Sequence, residues 1–343
     1  MTSAPFVSIV IPCRNEVRYI GACLDSLIAN HYPKERVEIL VVDGMSEDGT
    51  RAVVREYAVG NAGIRLLDNP KQVTPAALNI GIRAARGDFI MRVDAHLVCP
   101  PHYLPRSIAA LNESGADNVG GVLVTLPTDQ TAVSRAIAAA MSHRFGVGNS
   151  YFRTGITKPR WVDTVPFGCY RRDVFSRVGL FDEELLRNQD DEFNLRLLKG
   201  GGRLLLIPDV VSAYYARASL EKLWRMFFQY GYFKPLVVRK VGGVMTARQL
   251  APAVLVGTIV SAALLVPWLD AGRWLFGATV GGYLAADLVV SAFLARRLGV
   301  RVGLAAIAAF PVLHFAYGLG YLLGVFDFLI RGKRPAAAVS LSR

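Results

Sequence analysis

Four apolar, β-rich runs, FVSIVIP (6–12), VEILVVD (37–43), IRLL (64–67) and DFIMRVD (88–94), alternate with helix-like segments near 18–29, 49–58 and 74–86. Strands joined through helices must run side by side, so this alternation predicts an α/β domain around a mostly parallel central sheet. In such sheets ligands bind beyond the carboxyl ends of the strands. The polar residues of this chain gather at those ends. Pro12, Arg14, Asn15 and Glu16 follow the first strand, and Asp43, Gly44, Ser46, Asp48, Gly49 and Thr50 follow the second. Asp94 and His96 close the fourth.

Taken singly, each cluster has a plain explanation. SEDGT (46–50) has the composition of a turn and helix cap, because Ser, Asp and Gly satisfy backbone groups locally. Two polar residues flanking an alanine, as in Asp94-Ala95-His96, are common by chance. Their shared place at successive strand ends is what points to one binding crevice. A further acidic run, Asp190, Asp191 and Glu192, precedes a helix-like stretch, where acids are favourable on dipole grounds alone.

The last third of the chain has a different character. Residues 250–269 carry no charge, 274–294 carry only Asp287, and 303–330 carry only His314 and Asp327. Each approaches the roughly 20 residues that a bilayer requires, so three membrane spans are expected. Before them, seven basic residues from Arg217 to Arg248 face a single acid, Glu221, and aromatic residues lie among the charges. This pattern predicts an interfacial amphipathic helix attracted to anionic lipid, and it accounts for part of the net charge of +12 without nucleic acid. With the collar on the cytoplasmic side, Arg296, Arg297 and Arg301 fall on the same side after two spans. A third crossing would then place Arg331, Lys333 and Arg334 outside, unless 303–330 is re-entrant or interfacial. The amino-terminal apolar run is short and lacks a basic flank, so no signal peptide is expected and the first two-thirds are expected to be cytoplasmic. Cys13, Cys23, Cys99 and Cys169 show no metal-ligand spacing and read as reduced core residues.

PCRNE, VVDGMSEDGT, NIGIRAARGDFIMRVDAH and NQDDEFNLRL occur in the order found in family 2 glycosyltransferases with the GT-A fold, and the chain resembles that family from residue 6 to about 235. Within it, DAH in place of the commoner DxD, FGVGNS (145–150) and RNQDDE (187–192) are most similar to the succinoglycan-biosynthesis glucosyltransferase group. The resemblance implies a UDP-sugar donor, with Asp43 on the uracil or ribose, Pro12 and Glu16 lining the nucleoside pocket, and Asp94 near the ribose or diphosphate. It also implies a divalent cation, Mn2+ or Mg2+, held by His96 and Asp94, which would stabilise the departing diphosphate. Imidazole tilts the choice toward Mn2+. Alignment of Arg196 with the arginine of the family's ED-x-D-L-x-x-R pattern puts Asp190 on the catalytic base, with Asp191 as runner-up. One such carboxylate suffices for an inverting transfer.

Residues 145–172 and 224–234 are rich in aromatic and basic side chains, which suit sugar rings and phosphates, so Arg171, Gln229, Phe233 and Lys234 are assigned to the acceptor. Processive relatives carry QxxRW; here Gln229 is followed by YGYFK, so Tyr232 and Phe233 stand where the arginine and tryptophan would be, which argues against a long-polymer synthase. The expected organisation is a GT-A domain over 1–217, an amphipathic helix and collar over 218–248, membrane segments over 249–331 and a loose tail over 332–343. The function it implies is a membrane-anchored inverting transferase, multi-pass in the cell membrane, adding a sugar, glucose foremost, to a polyprenyl-diphosphate-linked glycan. A polyprenyl-phosphate sugar synthase is the alternative, and a non-catalytic sugar-nucleotide binder a more distant one.

Overall fold

A computed structural model describes residues 4–243 and 246–334. It contains the strands β1 (Val7–Cys13), β2 (Val37–Asp43), β3 (Ile64–Asp68), β4 (Phe89–Arg92), β5 (Asn118–Leu126), β6 (Arg160–Val162), β7 (Cys169–Arg171) and β8 (Leu204–Tyr215). Helices α1 (Ile20–Ile28), α2 (Thr50–Gly60) and α3 (Thr74–Ala84) connect the first four strands, and α4 (Tyr103–Ser114) follows β4. Then come α5 (Ala132–Ser142), α6 (Arg144–Val147), α7 (Tyr151–Thr154), α8 (Asp173–Val178) and α9 (Gln189–Lys199). The chain continues through α10 (Leu220–Val241), α11 (Ala251–Leu265), α12 (Asp270–Leu298) and α13 (Val300–Gly324), whose last turn widens over Val325–Ile330.

The strands form one sheet in the order β3-β2-β1-β4-β7-β5-β8-β6. The first four are parallel, whereas β7 runs antiparallel to β4 and β5, and β6 antiparallel to β8. Burial on both faces explains why β1 and β2 read as nearly continuous apolar runs. The antiparallel half is less legible, because β6 and β7 have three residues each and β5 contains Gly120 and Gly121. Those glycines are needed for close approach: a Cβ on Gly121 would lie 2.0 Å from the Val210 carbonyl oxygen.

Two compact units divide the chain, one made of Met1–Val124 and Gly155–Tyr214, the other of Thr125–Thr154 and Tyr215–Arg343. The division differs from a boundary at 217, because residues 125–154 belong with the carboxyl-terminal helices. Within the first unit, Glu38 is a fully buried acid. It accepts hydrogen bonds from Ser8 Oγ (2.6 Å), Arg86 N (2.7 Å) and Arg86 Nε (3.1 Å). Burial pushes its pKa up, but these donors outweigh burial and hold it below the ordinary glutamate value. A lowered folded pKa means stability that is present above pH 4.5, the unperturbed value, and is lost as pH falls toward the folded value. Glu38→Gln is expected to cost about 1–3 kcal/mol by orphaning donors, and to flatten the acid limb of a Tm-versus-pH curve. A variant with an unchanged acid limb would refute this.

In the second unit, α10 crosses α13 at bare backbone. A Cβ on Gly231 would lie 2.1 Å from the Tyr317 carbonyl oxygen, and on Gly320 or Gly324 it would lie 2.2 Å from the carbonyl oxygens of Phe228 or Tyr232. Gly320-x-x-x-Gly324 is the small-residue spacing that lets helices meet closely without a hydrophobic driving force. So the helix expected to be amphipathic over 218–248 is fastened to α13. Gly320→Val is expected to lower the detergent-solubilised protein's Tm by several degrees, since neither backbone can give way. An unchanged Tm would show the crossing to be dispensable.

The expectation of three spans changes. Helices 270–298 and 300–330 are long and apolar enough to cross a membrane, whereas α11, at 15 residues, reaches about 22 Å, short of the roughly 30 Å hydrocarbon core. The charge-free stretch 250–269 is shortened because its helix starts at Ala251 and ends at Leu265. Within this unit α13 is flanked along its length: Arg135 donates to the Leu298 carbonyl before it, His314 bonds the Phe145 carbonyl at 2.8 Å midway, and α10 crosses its end. The tail expected over 332–343 falls, from residue 335, outside the described residues.

Candidate active site

The carboxyl ends of β1, β2 and β4 lie side by side, with Cys13 opposite Asp43 and Val10 opposite Arg92. The loops after β1 and β2 are laced together. Asn15 N donates to Ser46 Oγ at 2.8 Å, Glu47 N to Asn15 Oδ1 at 3.0 Å, Glu16 N to Thr50 Oγ1 at 2.8 Å, and Val17 N to Asp48 Oδ2 at 3.1 Å. Asp48 Oδ1 also accepts from Thr50 N at 3.0 Å, so SEDGT is a turn and cap as well as part of this lacing. Asn15 holds φ 53°, a left-handed conformation that asparagine tolerates.

Asp43 anchors the β2 loop. Its oxygens accept from Ser46 N (2.9 Å), Ser46 Oγ (2.5 Å) and Arg51 Nη1 (2.8 Å), and Arg51 also bridges to Asp68 at 2.7 Å. Asp43 is 0% exposed, so it serves the crevice through the loop it pins rather than by an open carboxylate. Glu16 meets His96 across the crevice, with Oε1 3.6 Å from the imidazole Nδ1, and half of the His96 side chain is exposed.

Arg92 was passed over in the sequence. It ends β4 inside an apolar run, and its guanidinium is almost fully buried. Nε and Nη2 donate to Asp94 Oδ1 at 3.2 and 3.0 Å, while Nη1 donates to Asp190 Oδ1. The guanidinium carbon lies 5.9 Å from the centre of the Phe167 ring. Burial alone would weaken its charge, but Asp190 and Asp94 more than compensate and raise its pKa. A charged residue within an otherwise apolar strand, two before Asp94, was the available signal.

Asp190 sits in the first turn of α9, after Asn188 at φ 61°. The helix is fixed from below. Phe193 is fully buried and stacks on Phe181 at 4.4 Å, edge-on to Tyr170. Asn194 donates to Thr164 Oγ1 at 2.9 Å and accepts from Asn118 at 3.2 Å. Glu192 pairs with Arg196 at 2.7 and 2.8 Å, and Arg196 also reaches the carbonyls of Val178 and Leu180. Glu192 and Arg196 are therefore committed to the scaffold. A third of the Asp190 side chain remains exposed. Its carboxyl nevertheless sits deeply enough that burial raises its pKa; Arg92 opposes this, and Asp94 and Asp191 add to it.

The contacts Asp43–Ser46–Asn15, Glu16–His96 and Asp94–Arg92–Asp190 thus bring the residues expected on the donor side and the acidic run of α9 to adjoining strand ends. Pro12 lies on β1 opposite Val42, at the same end. Among the described residues, no group of three or more His, Cys, Asp or Glu side chains is arranged to hold a metal ion. Asp94 and His96 are two residues apart, and a pair of protein ligands fits a cation that takes its remaining oxygens from a diphosphate and water.

Of the residues expected at the acceptor, Arg171 lies away from Asp94 within the same unit, and Phe233 and Lys234 are buried. Arg171, opposite Phe89 at the start of β4, donates to the Ala116 and Leu111 carbonyls at 3.1 and 2.6 Å, far along the strand from Asp94. Two of its three guanidinium nitrogens are thus given to backbone carbonyls. Phe233 is 1% exposed and stacks on Phe328 at 6.1 Å, and Lys234 is buried beside it on α10; neither presents a face to a sugar. Gln229 is half-buried on the same helix. The four cysteines are buried free thiols.

Residues 8–179 match the family model described as Glycosyl transferase family 2. The chain belongs to glycosyltransferase family 2. This glycosyltransferase is 31% identical over 322 residues to the succinoglycan biosynthesis protein ExoA of Rhizobium meliloti, covering 93% of this chain and 95% of that one. It is 32% identical over 243 residues to the dolichyl N-acetyl-alpha-D-glucosaminyl phosphate 3-beta-D-2,3-diacetamido-2,3-dideoxy-beta-D-glucuronosyltransferase of Methanococcus voltae, covering 68% of this chain and 74% of that one. Its fold is shared with the mannosyltransferase PcManGT of Pyrobaculum calidifontis, solved with GDP-Man and Mn2+, at a TM-score of 0.56, 22% identity, and 90% and 86% coverage of the two chains. Relatives of this glycosyltransferase thus act in exopolysaccharide and lipid-linked glycan synthesis.

Proposed function

We propose that this family 2 glycosyltransferase transfers a sugar from a UDP-sugar, with inversion, to a polyprenyl-diphosphate-linked glycan at the cytoplasmic face of the membrane. The juxtaposition of Asp94 and Asp190 through Arg92 carries this reading: a donor-side carboxylate and a helix-start carboxylate share one crevice. Asp190 takes the proton of the acceptor hydroxyl as its oxygen attacks the anomeric carbon. The elevated pKa of Asp190 suits it to that task, because a carboxylate that binds a proton more tightly is a better base. Asp191, one residue on, is the reserve base. Asp94 and His96 would hold a divalent cation, which when bound offsets charge on the departing diphosphate. The anchored Asp43 loop, Pro12 and Glu16 frame the nucleoside.

A lipid acceptor is supported by the basic run before α11 and by the two long apolar helices. The name of the Methanococcus voltae relative, which specifies a dolichyl-phosphate-borne sugar acceptor, points the same way. The test uses membranes containing the protein and a panel of radiolabelled UDP- and GDP-sugars, with Mn2+, Mg2+ or EDTA. Label is expected in the lipid fraction from one UDP-sugar, UDP-glucose foremost, and to vanish with EDTA. Incorporation only from a GDP-sugar, or undiminished by EDTA, would overturn the donor or the cation.

A further inference from the structure

The Asp94–Arg92–Asp190 bridge joins the two halves of the reaction through one side chain. Two nitrogens of the buried guanidinium fork onto Asp94 Oδ1 and the third donates to Asp190 Oδ1, with Phe167 packed beside the plane. A planar cation with donors in fixed directions sets the distance and angle between its two partners, which a lysine's point charge cannot. Phe167 is itself held at φ 46°, a conformation that few non-glycine residues adopt, and Arg92 N donates to the adjacent Gly168 carbonyl at 3.0 Å. The strand end, the strained turn and the start of α9 therefore all converge on this guanidinium.

We infer that Arg92 is a positioning residue, which fixes the Asp190 carboxylate relative to the donor-side Asp94 so that the base faces the anomeric carbon. The inference rests on the reading of Asp190 as base. Arg92 acts through Asp190, a third of whose side chain stays exposed to meet the acceptor hydroxyl. Misplacement of a reacting group by about 1 Å costs on the order of a hundredfold in rate.

The experiment compares full-length wild type, Arg92→Lys, Asp190→Asn and the double variant, each checked for folding by Tm. Transfer into the membrane lipid fraction gives kcat, and titration with UDP in the presence of Mn2+ gives Kd. Arg92→Lys is expected to lower kcat about a hundredfold while the Kd for UDP stays within about threefold. The double variant is expected to be no slower than Asp190→Asn alone, because Arg92 has nothing left to position. Phe167→Leu, which leaves all three charges in place, is expected to lower kcat about tenfold in the same Asp190-dependent manner, and it decides the matter should Arg92→Lys not fold. A wild-type kcat in both Arg92→Lys and Phe167→Leu, UDP affinity falling in step with kcat, or losses that multiply in the double variant would overturn the inference. An active Asp190→Asn would instead overturn the base assignment, whatever Arg92 does.

Discussion

Asp190→Asn is expected to reduce transfer to the lipid fraction by about 10²–10⁴-fold while leaving UDP affinity nearly unchanged. The amide has the shape of the carboxylate and can still accept a hydrogen bond from Arg92, so α9, which is held by Phe193, Asn194 and the Glu192–Arg196 pair, stays in place. What is lost is the ability to take a proton. The loss should therefore fall in kcat rather than in donor binding. Asp191→Asn, one residue along, is expected to have a much smaller effect. If Asp190→Asn retained most activity, the acceptor would need no base, as for a phosphate oxygen, and the enzyme would be a polyprenyl-phosphate sugar synthase.

The second large effect is expected at Asp43. Asp43→Asn keeps the size of a fully buried side chain but removes the charge that accepts from Ser46 and Arg51. Freed of its anchor, the β2 loop loses its hold on Asn15 through Ser46, and the nucleoside frame loosens. Leaving such donors unmatched costs about 1–3 kcal/mol, which corresponds to a roughly 5- to 150-fold weaker affinity for UDP if the cost is borne at the site. Calorimetric titration below the variant's Tm separates weaker binding from unfolding. UDP affinity equal to that of the wild type would show that the loop holds its shape without Asp43.

The parallel half of the sheet was legible because burial on both faces writes β1 and β2 as continuous apolar runs, each ending in polar residues. β6 and β7, with three residues each, were not, and β5 is interrupted by Gly120 and Gly121, where Gly121 admits the Val210 backbone. Candidate residues at strand ends could be listed by position alone. Their partners could not, since Arg92 meets Asp190 across 98 residues of sequence and Arg51 binds Asp43 from the next helix. The burial of Phe233 and Lys234, two of the residues expected at the acceptor, was hidden for a related reason. Aromatic and basic composition does not tell a solvent-facing helix from one packed on its neighbour, and the small-residue spacing at Gly320 and Gly324 was the clue that α10 is covered. Length misled at 250–269, where a charge-free stretch holds a helix of only 15 residues.

The stereochemistry of the product tests the central claim most directly. With an α-linked nucleotide sugar as donor, NMR of the glycan released from the lipid fraction is expected to show a β-linkage, because a single displacement driven by the Asp190 carboxylate inverts the anomeric carbon. An α-linked product would mean that the configuration is retained, and would contradict a mechanism with one base opposite the departing diphosphate.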